Sequence, residues 1–137
     1  MSEAIQPSEA LVEQSRAVTP AEIDALMGHE SSPETDATWQ DQIDRALLVV
    51  TGRDQQSGEL LGIGFVVGSM RHAELVDWNV REGERQQGIG AKIGEQMLSF
   101  VHDNNIRYVG LTFDPKTPWL RGLYERAGFR QIDFAMW

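Results

Sequence analysis

Cysteine is absent from the 137-residue sequence. This absence excludes disulfide bonds, thiolate metal sites and a cysteine nucleophile. The three histidines, His29, His72 and His102, are widely spaced and show no pattern of metal ligands. We therefore expect no structural metal ion in this protein.

Long apolar runs are also missing, since no stretch reaches the ~20 residues that a membrane helix needs. The acidic first residues lack the basic and then apolar layout of a signal peptide. We therefore expect a cytoplasmic protein that does not contact membranes. Its length suits one domain with a sizeable core, which we predict at residues 9–137 after a flexible leader at 1–8.

Basic side chains are scarce in the first part of the chain. Residues 1–60 hold three of them, Arg16, Arg45 and Arg53, against twelve acidic side chains, whereas residues 61–137 hold nine of each. The first part therefore carries the whole net charge of −9. This pattern shows no basic stripe for a nucleic acid. It favours an acidic surface, which either attracts a cationic partner or only keeps the protein soluble.

Hydrophobic periodicity and turn residues predict a mixed α/β chain. Thr19, Pro20 and Glu22 have the pattern of a capped helix start, and Gly28 suits the end of that helix. The predicted strands cover residues 10–14, 46–52, 60–67, 73–80, 107–113 and 129–137. The predicted helices run from Pro20 to Gly28, over 37–45 after a polar loop at 31–36, from Gly88 to about 103, and over 118–127.

A glycine-containing loop joins the strand at 73–80 to the longest helix. A strand, a loop and a helix start in this order present free backbone N–H groups and the positive end of a helix dipole, which together bind phosphate. Gly88 and Gly90 would let a ligand approach the backbone closely. The spacing differs from that of the P-loop and of the dinucleotide-binding loop. A simple tight turn is the alternative interpretation.

Two segments resemble the GNAT superfamily of N-acetyltransferases. Arg85-Gln86-Gln87-Gly88-Ile89-Gly90 resembles its R/Q-x-x-G-x-G/A pyrophosphate loop, and Leu123–Phe129 resembles its [FL]-Y-E-[KR]-x-G-F segment. The resemblance covers residues 46–130, and the first 45 residues only by the order of elements. It implies an α/β fold with a mixed, mostly antiparallel central sheet flanked by helices. In that fold the sheet splays between the strands near 73–80 and 107–113.

The resemblance also implies an acetyl-CoA site. The pantetheine arm would pair with the strand Trp78-Asn79-Val80, and the pyrophosphate would lie on the amides from Gln86 to Ala91. Thr117 stands where the family often has an asparagine that contacts the cofactor, and it can also cap the helix that begins at Pro118. The cofactor-binding residues expected in this way are Trp78, Asn79, Val80, Arg85, Gln86, Gln87, Gly88, Ile89, Gly90, Ala91 and Thr117.

The implied chemistry is direct transfer of an acetyl group to a primary amine, because the chain has no cysteine to carry it. Tyr124 resembles the family's general acid. Glu74, Asp77 or a water molecule would take the proton from the amine. Strict alternation along a strand would put Glu74 and Asp77 on opposite faces, so that only one carboxylate could face the cleft.

Other functions and states remain open at this stage. An acyl-CoA-binding sensor, or an inactive partner protein with the same fold, would keep the loop without needing a base. We expect a cationic acceptor because of the acidic first part. Small amines and protein lysines both remain possible acceptors, acyl groups longer than acetyl are not excluded, and a homodimer is possible.

Overall fold

The computed structural model describes residues 10–83 and 88–111, together with the single positions 122, 125, 126, 128 and 130. Its elements are β1 (Ala10–Gln14), α1 (Pro20–Met27), α2 (Pro33–Arg45), β2 (Leu48–Asp54), β3 (Leu60–Gly68), β4 (His72–Val80), α3 (Ile89–Asp103) and β5 (Tyr108–Leu111). The strands form one sheet in the order β1-β2-β3-β4-β5. Neighbouring strands are antiparallel except β4 and β5, which are parallel. The predicted mixed, mostly antiparallel sheet is confirmed.

Both N-terminal helices begin with a capping box followed by proline. At the start of α1, Thr19 accepts a hydrogen bond from the N–H of Glu22, whose side chain accepts one from the N–H of Thr19, as predicted. Ser32 caps α2 in the same way together with Thr35. Helix α2 therefore begins at Pro33, and the prediction of a polar loop as far as residue 36 was wrong. Ser32 and Pro33 form a helix start because serine caps a helix well and proline suits its first position.

Two apolar layers cover the two faces of the sheet. The first face packs against α3, whose buried side chains follow the predicted helical stripe of Ile89, Ile93, Met97 and Val101. The second face packs against α1 and α2, with Ile23 and Ile43 buried among strand residues such as Phe65. The apolar residues of α3 recur at intervals of three to four, which is the reason that this helix has one buried face.

Helix α3 packs directly against glycines in the strands beneath it. A Cβ atom placed on Gly64 would lie 2.8 Å from Cγ2 of Ile93 and 2.8 Å from Sδ of Met97. Real Cβ atoms almost never come so near another heavy atom, so a side chain at Gly64 would push the helix outward. The close packing fixes the start of α3 beside the end of β4.

After residue 111, the structure describes only a few single positions. Gly122, Glu125 and Arg126 are helical, and Gly128 has a φ of 99° after them. The predicted leader at 1–8 lies outside the described residues, and so does the last predicted strand, 129–137, except for Arg130. Within the ranges that are described, no helix is both long and apolar enough to cross a membrane.

Candidate active site

Strand β4 contains a bulge in front of the glycine loop. On β3, Phe65 pairs with Val76 and Ile63 pairs with Asn79, so that two β4 residues, Asp77 and Trp78, stand opposite one residue. Asp77 has a φ of 50°, in the left-handed region that aspartate tolerates better than most residues. The extra residue reverses the alternation of side chains along the rest of the strand.

This bulge brings the two candidate carboxylates to the same side of the sheet. Glu74 pairs with Val67, which packs with the apolar layer under α1 and α2. The Oδ2 atom of Asp77 accepts a hydrogen bond of 2.9 Å from Nε2 of Gln42, which lies on α2. Both carboxylates therefore belong to the face covered by α2. The expectation that they point to opposite faces was wrong, because it assumed an unbroken strand.

Past the bulge, Trp78 joins β4 to the start of α3. Its indole Nε1 donates a hydrogen bond of 3.0 Å to the carbonyl oxygen of Gly90. A Cβ atom on Gly94 would lie 2.5 Å from Cζ2 of the same indole. Val80 packs beside the helix as well, 3.2 Å from the place of a Cβ on Gly90. The side chains of Trp78 and Val80 thus pack against the helix, and a cofactor contact from these two residues would come from their backbone.

Helix α3 begins as the sequence predicts, with Gly88 in the N-cap position at a φ of 75°. The N–H of Lys92 makes the first bond within the helix, to the carbonyl oxygen of Gly88 at 3.0 Å. The N–H groups of Ile89, Gly90 and Ala91 come before it and have no acceptor within the helix. No acidic residue lies in this first turn. This end of the helix is therefore suited to an anion.

Positive charge near this helix start is partly neutralised. The guanidinium of Arg81 forms an ion pair with the carboxylate of Glu59. Lys92 lies exposed in the first turn of α3. The backbone amides and Lys92, rather than the charge of Arg81, are therefore the main attraction for an anion among the described residues.

Several of the predicted site residues cannot be placed. Arg85, Gln86 and Gln87 fall in the gap at 84–87, and Thr117 and Tyr124 also lie outside the described residues. The described members are Glu74, Asp77, Trp78, Asn79, Val80, Gly88, Ile89, Gly90 and Ala91. Within this group, Ile89 has a buried side chain and Asn79 an exposed one. The pairing of β4 with β5 covers His72 to Leu75, so the predicted splay concerns later residues and stays a prediction.

Gln42 contacts a candidate site residue, although the sequence did not point to it. It lies on α2, 35 residues before Asp77 in the chain, and no motif surrounds it. The only available signal was its place on the polar edge of an amphipathic helix. That signal is shared by most helix glutamines.

Comparison with known proteins agrees with this geometry. The sequence profile of the acetyltransferase (GNAT) family matches residues 16–129. A Staphylococcus aureus protein of unknown function, named a probable acetyltransferase, superposes with a TM-score of 0.77 at 22% identity, over 93% of this chain and 97% of that chain. An acetyltransferase of Trypanosoma brucei gives a TM-score of 0.73 at 18% identity, over 93% and 97%.

A third solved structure contains part of coenzyme A. It is AAC(6')-Iy in complex with the bisubstrate analogue CoA-S-monomethyl-acetylneamine, at a TM-score of 0.73 and 12% identity, over 95% of this chain and 97% of that chain. At these identities the superpositions show a shared fold. The profile match spans most of the sequence, and the chain therefore belongs to the acetyltransferase (GNAT) family and is an acyltransferase.

Proposed function

We propose that this protein transfers an acetyl group from acetyl-CoA directly to a primary amine. The observation that carries the proposal is the start of α3 in a chain of the GNAT family, which uses acetyl-CoA. Gly88, Gly90 and Ala91 bring amide groups to this end of the helix with little side-chain bulk. A Cβ atom on Gly88 would meet no atom of the described residues within 4 Å, so these residues leave room for a ligand at Gly88.

The residues present fit a bound pyrophosphate. The amides of Ile89, Gly90 and Ala91 would donate hydrogen bonds to its oxygens, helped by the helix dipole. Gln86 and Gln87 would extend this set, as the resemblance implies. The interactions of Trp78 and Val80 with α3 keep the end of β4 in place for the pantetheine arm.

The candidate catalytic residues Glu74, Asp77 and Tyr124 would transfer protons during the reaction. When bound, acetyl-CoA supplies an acetyl group activated as a thioester, which a neutral amine can take with release of the free thiol. An alkylamine has a pKa of ~10 and must lose a proton before it can attack. Glu74 or Asp77, directly or through water, would receive that proton on the side of the sheet covered by α2. Tyr124 would donate a proton to the leaving sulfur.

The acceptor would be cationic before it reacts. The three arginines of residues 1–60 already have partners within the protein: Arg45 pairs with Asp41, Arg53 pairs with Glu22, and Arg16 donates to the carbonyl oxygens of Ile43 and Ala46. Exposed carboxylates that take no part in these pairs, such as those of Glu30, Glu34 and Asp44, leave the surface of this segment acidic. An ammonium group is attracted to such a surface.

The test combines binding with turnover. Isothermal titration calorimetry measures the binding of acetyl-CoA, and a thiol-release assay then measures turnover with n-butylamine, spermidine and a lysine peptide. Binding together with amine-dependent thiol release supports the proposal. Binding without release for any amine supports the sensor alternative, and absence of binding contradicts both.

A further inference from the structure

An open groove runs between α2 and the end of β3, beside the candidate carboxylates. It has a volume of about 590 Å³, within the range of small-molecule sites. Its lining consists of Thr38, Asp41, Gln42, Arg45, Ala46, Val67 and Gly68. Val67 is also the cross-strand partner of Glu74. The groove therefore lies next to the face of β4 where a proton acceptor is needed.

Gln42 connects this groove with the bulge. It lines the groove, and its Nε2 atom donates the 2.9 Å hydrogen bond to Oδ2 of Asp77. Both side chains are half-buried. A non-glycine residue at a φ of 50° costs free energy, and such positions persist where their surroundings hold them. The hydrogen bond from Gln42 is one such restraint.

The charges around the groove favour a cation beside Asp77. Asp41 and Arg45 form an ion pair of 2.7 Å, so the charges of these two lining residues offset each other. Gln42 is neutral, and its amide orients the carboxylate of Asp77 without cancelling its negative charge. Glu74 adds a second carboxylate on the same face. The groove thus leads from the balanced charges of Asp41 and Arg45 towards two carboxylates on one face of the sheet.

We propose that Gln42 is a positioning residue that fixes the carboxylate of Asp77, and that this carboxylate, which Gln42 links to the groove, recognises the ammonium group of the acceptor. The inference rests on the proposed acetyl transfer and names the group that selects a cationic acceptor. Asp77 accepts hydrogen bonds from the incoming ammonium. Glu74 is then the carboxylate left to take its proton.

Kinetics with two matched substitutions test this role. Gln42→Met keeps the length of the side chain and removes the hydrogen bond, and Gln40→Met is the control. Gln40 lies two residues earlier on α2, outside the groove lining, and donates a bond of 2.9 Å to Asp44. A hydrogen bond to a charged group is stronger than one between neutral groups. We expect Gln42→Met to raise the KM of the amine about tenfold or more and to change the KM of acetyl-CoA less than twofold, while Gln40→Met changes neither.

The double variant shows whether Gln42 acts through Asp77. Asp77→Asn should raise the KM of the amine, and adding Gln42→Met to it should raise the KM little further. A change below twofold in Gln42→Met, full additivity with Asp77→Asn, or an equal rise in the KM of acetyl-CoA would overturn the assignment. Gln42→Leu replaces Gln42→Met if thermal unfolding shows that the methionine variant does not fold.

Turnover by the wild-type enzyme separates the two proposals. If the wild-type enzyme releases thiol with an amine but the Gln42 variants behave like Gln40→Met, the positioning role is wrong and acetyl transfer survives. If the wild-type enzyme releases no thiol with any amine, acetyl transfer fails, and the role of Gln42 fails with it.

Discussion

Trp78 and Gly94 are in such close contact that position 94 has no room for a side chain. A Cβ atom there would lie 2.5 Å from Cζ2 and 2.6 Å from Cη2 of the indole. The contact links β4 to α3 just after the bulge, where the proposed cofactor site begins. It therefore sets the position of the helix start from which the phosphate-binding amides project.

Gly94→Ala should destabilise the protein. A glycine replaced by alanine inside a helix normally gains about 0.5–1 kcal/mol, but overpacking costs about 1–3 kcal/mol. We expect the free energy of unfolding, measured with urea, to fall in Gly94→Ala. The cost should be smaller in a Trp78→Leu background, where the indole is gone. A stabilising Gly94→Ala, or an equal cost in both backgrounds, would disprove the steric account.

The ion pair between Glu22 and Arg53 should make stability depend on pH. The hydrogen bond from Arg53 lowers the pKa of Glu22, although partial burial opposes the change. A lowered pKa in the folded state means that the stabilisation is complete above the unfolded pKa of ~4.3 and is lost as the pH falls through the folded value. Because Glu22 is about one-third exposed, we expect a contribution of about 1 kcal/mol or less.

Glu22→Gln tests this dependence, since glutamine can still accept the capping bond from Thr19. Urea unfolding at pH 7 should show the variant to be less stable than the wild-type protein. The difference should shrink as the pH is lowered below 4. A difference that stays constant over this range would assign the effect to packing and not to the charge of Glu22.

Tyr124→Phe should separate binding from turnover. Loss of a general acid typically lowers the rate by ~10²–10⁴-fold. We expect calorimetry to give an unchanged affinity for acetyl-CoA and the thiol-release assay to give a greatly reduced kcat. Wild-type turnover in this variant would make Tyr124 a packing residue.

Added salt should weaken the binding of the amine acceptor more than the binding of acetyl-CoA. Exposed charges are screened within ~8–10 Å near physiological ionic strength. If the acidic surface of residues 1–60 attracts a cationic amine, the KM of the amine should rise between 50 and 500 mM NaCl (roughly a threefold change in screening length), while that of acetyl-CoA changes little. A best acceptor that is neutral or anionic would contradict this prediction and leave acetyl transfer intact.

The order of the elements could be predicted because local signals agreed with the fold. The capping pattern at Thr19 predicted the bounds of α1, and the apolar stripe from Ile89 to Val101 predicted those of α3, in both cases almost to the residue. The start of α2 was missed although Ser32 and Pro33 repeat the pattern of Thr19 and Pro20. The polar residues around them suggested a loop, and the capping signal was the one that decided the structure.

The geometry of the candidate site was only partly predictable. The glycine loop gave the start of α3, because a left-handed N-cap residue favours glycine. The bulge at Asp77 could not be predicted, since it depends on how β4 pairs with Gly64 and its neighbours on β3. The bond from Gln42 follows from that bulge. This bond joins residues that are 35 positions apart in the sequence, and it forms only because α2 packs on the sheet.

The central claim is that acetyl-CoA binds at the start of α3, and a matched pair of glycine variants tests it most directly. Gly88 and Gly28 have φ angles of 75° and 72°, and a Cβ on either would meet no atom of the described residues within 4 Å. Gly28→Val therefore imposes similar backbone strain at the end of α1, which packs on the opposite face of the sheet from α3. Calorimetric titration with acetyl-CoA should show at least about a tenfold loss of affinity in Gly88→Val, equivalent to about 1.4 kcal/mol, and little change in Gly28→Val. Wild-type affinity in a folded Gly88→Val variant would contradict the assignment.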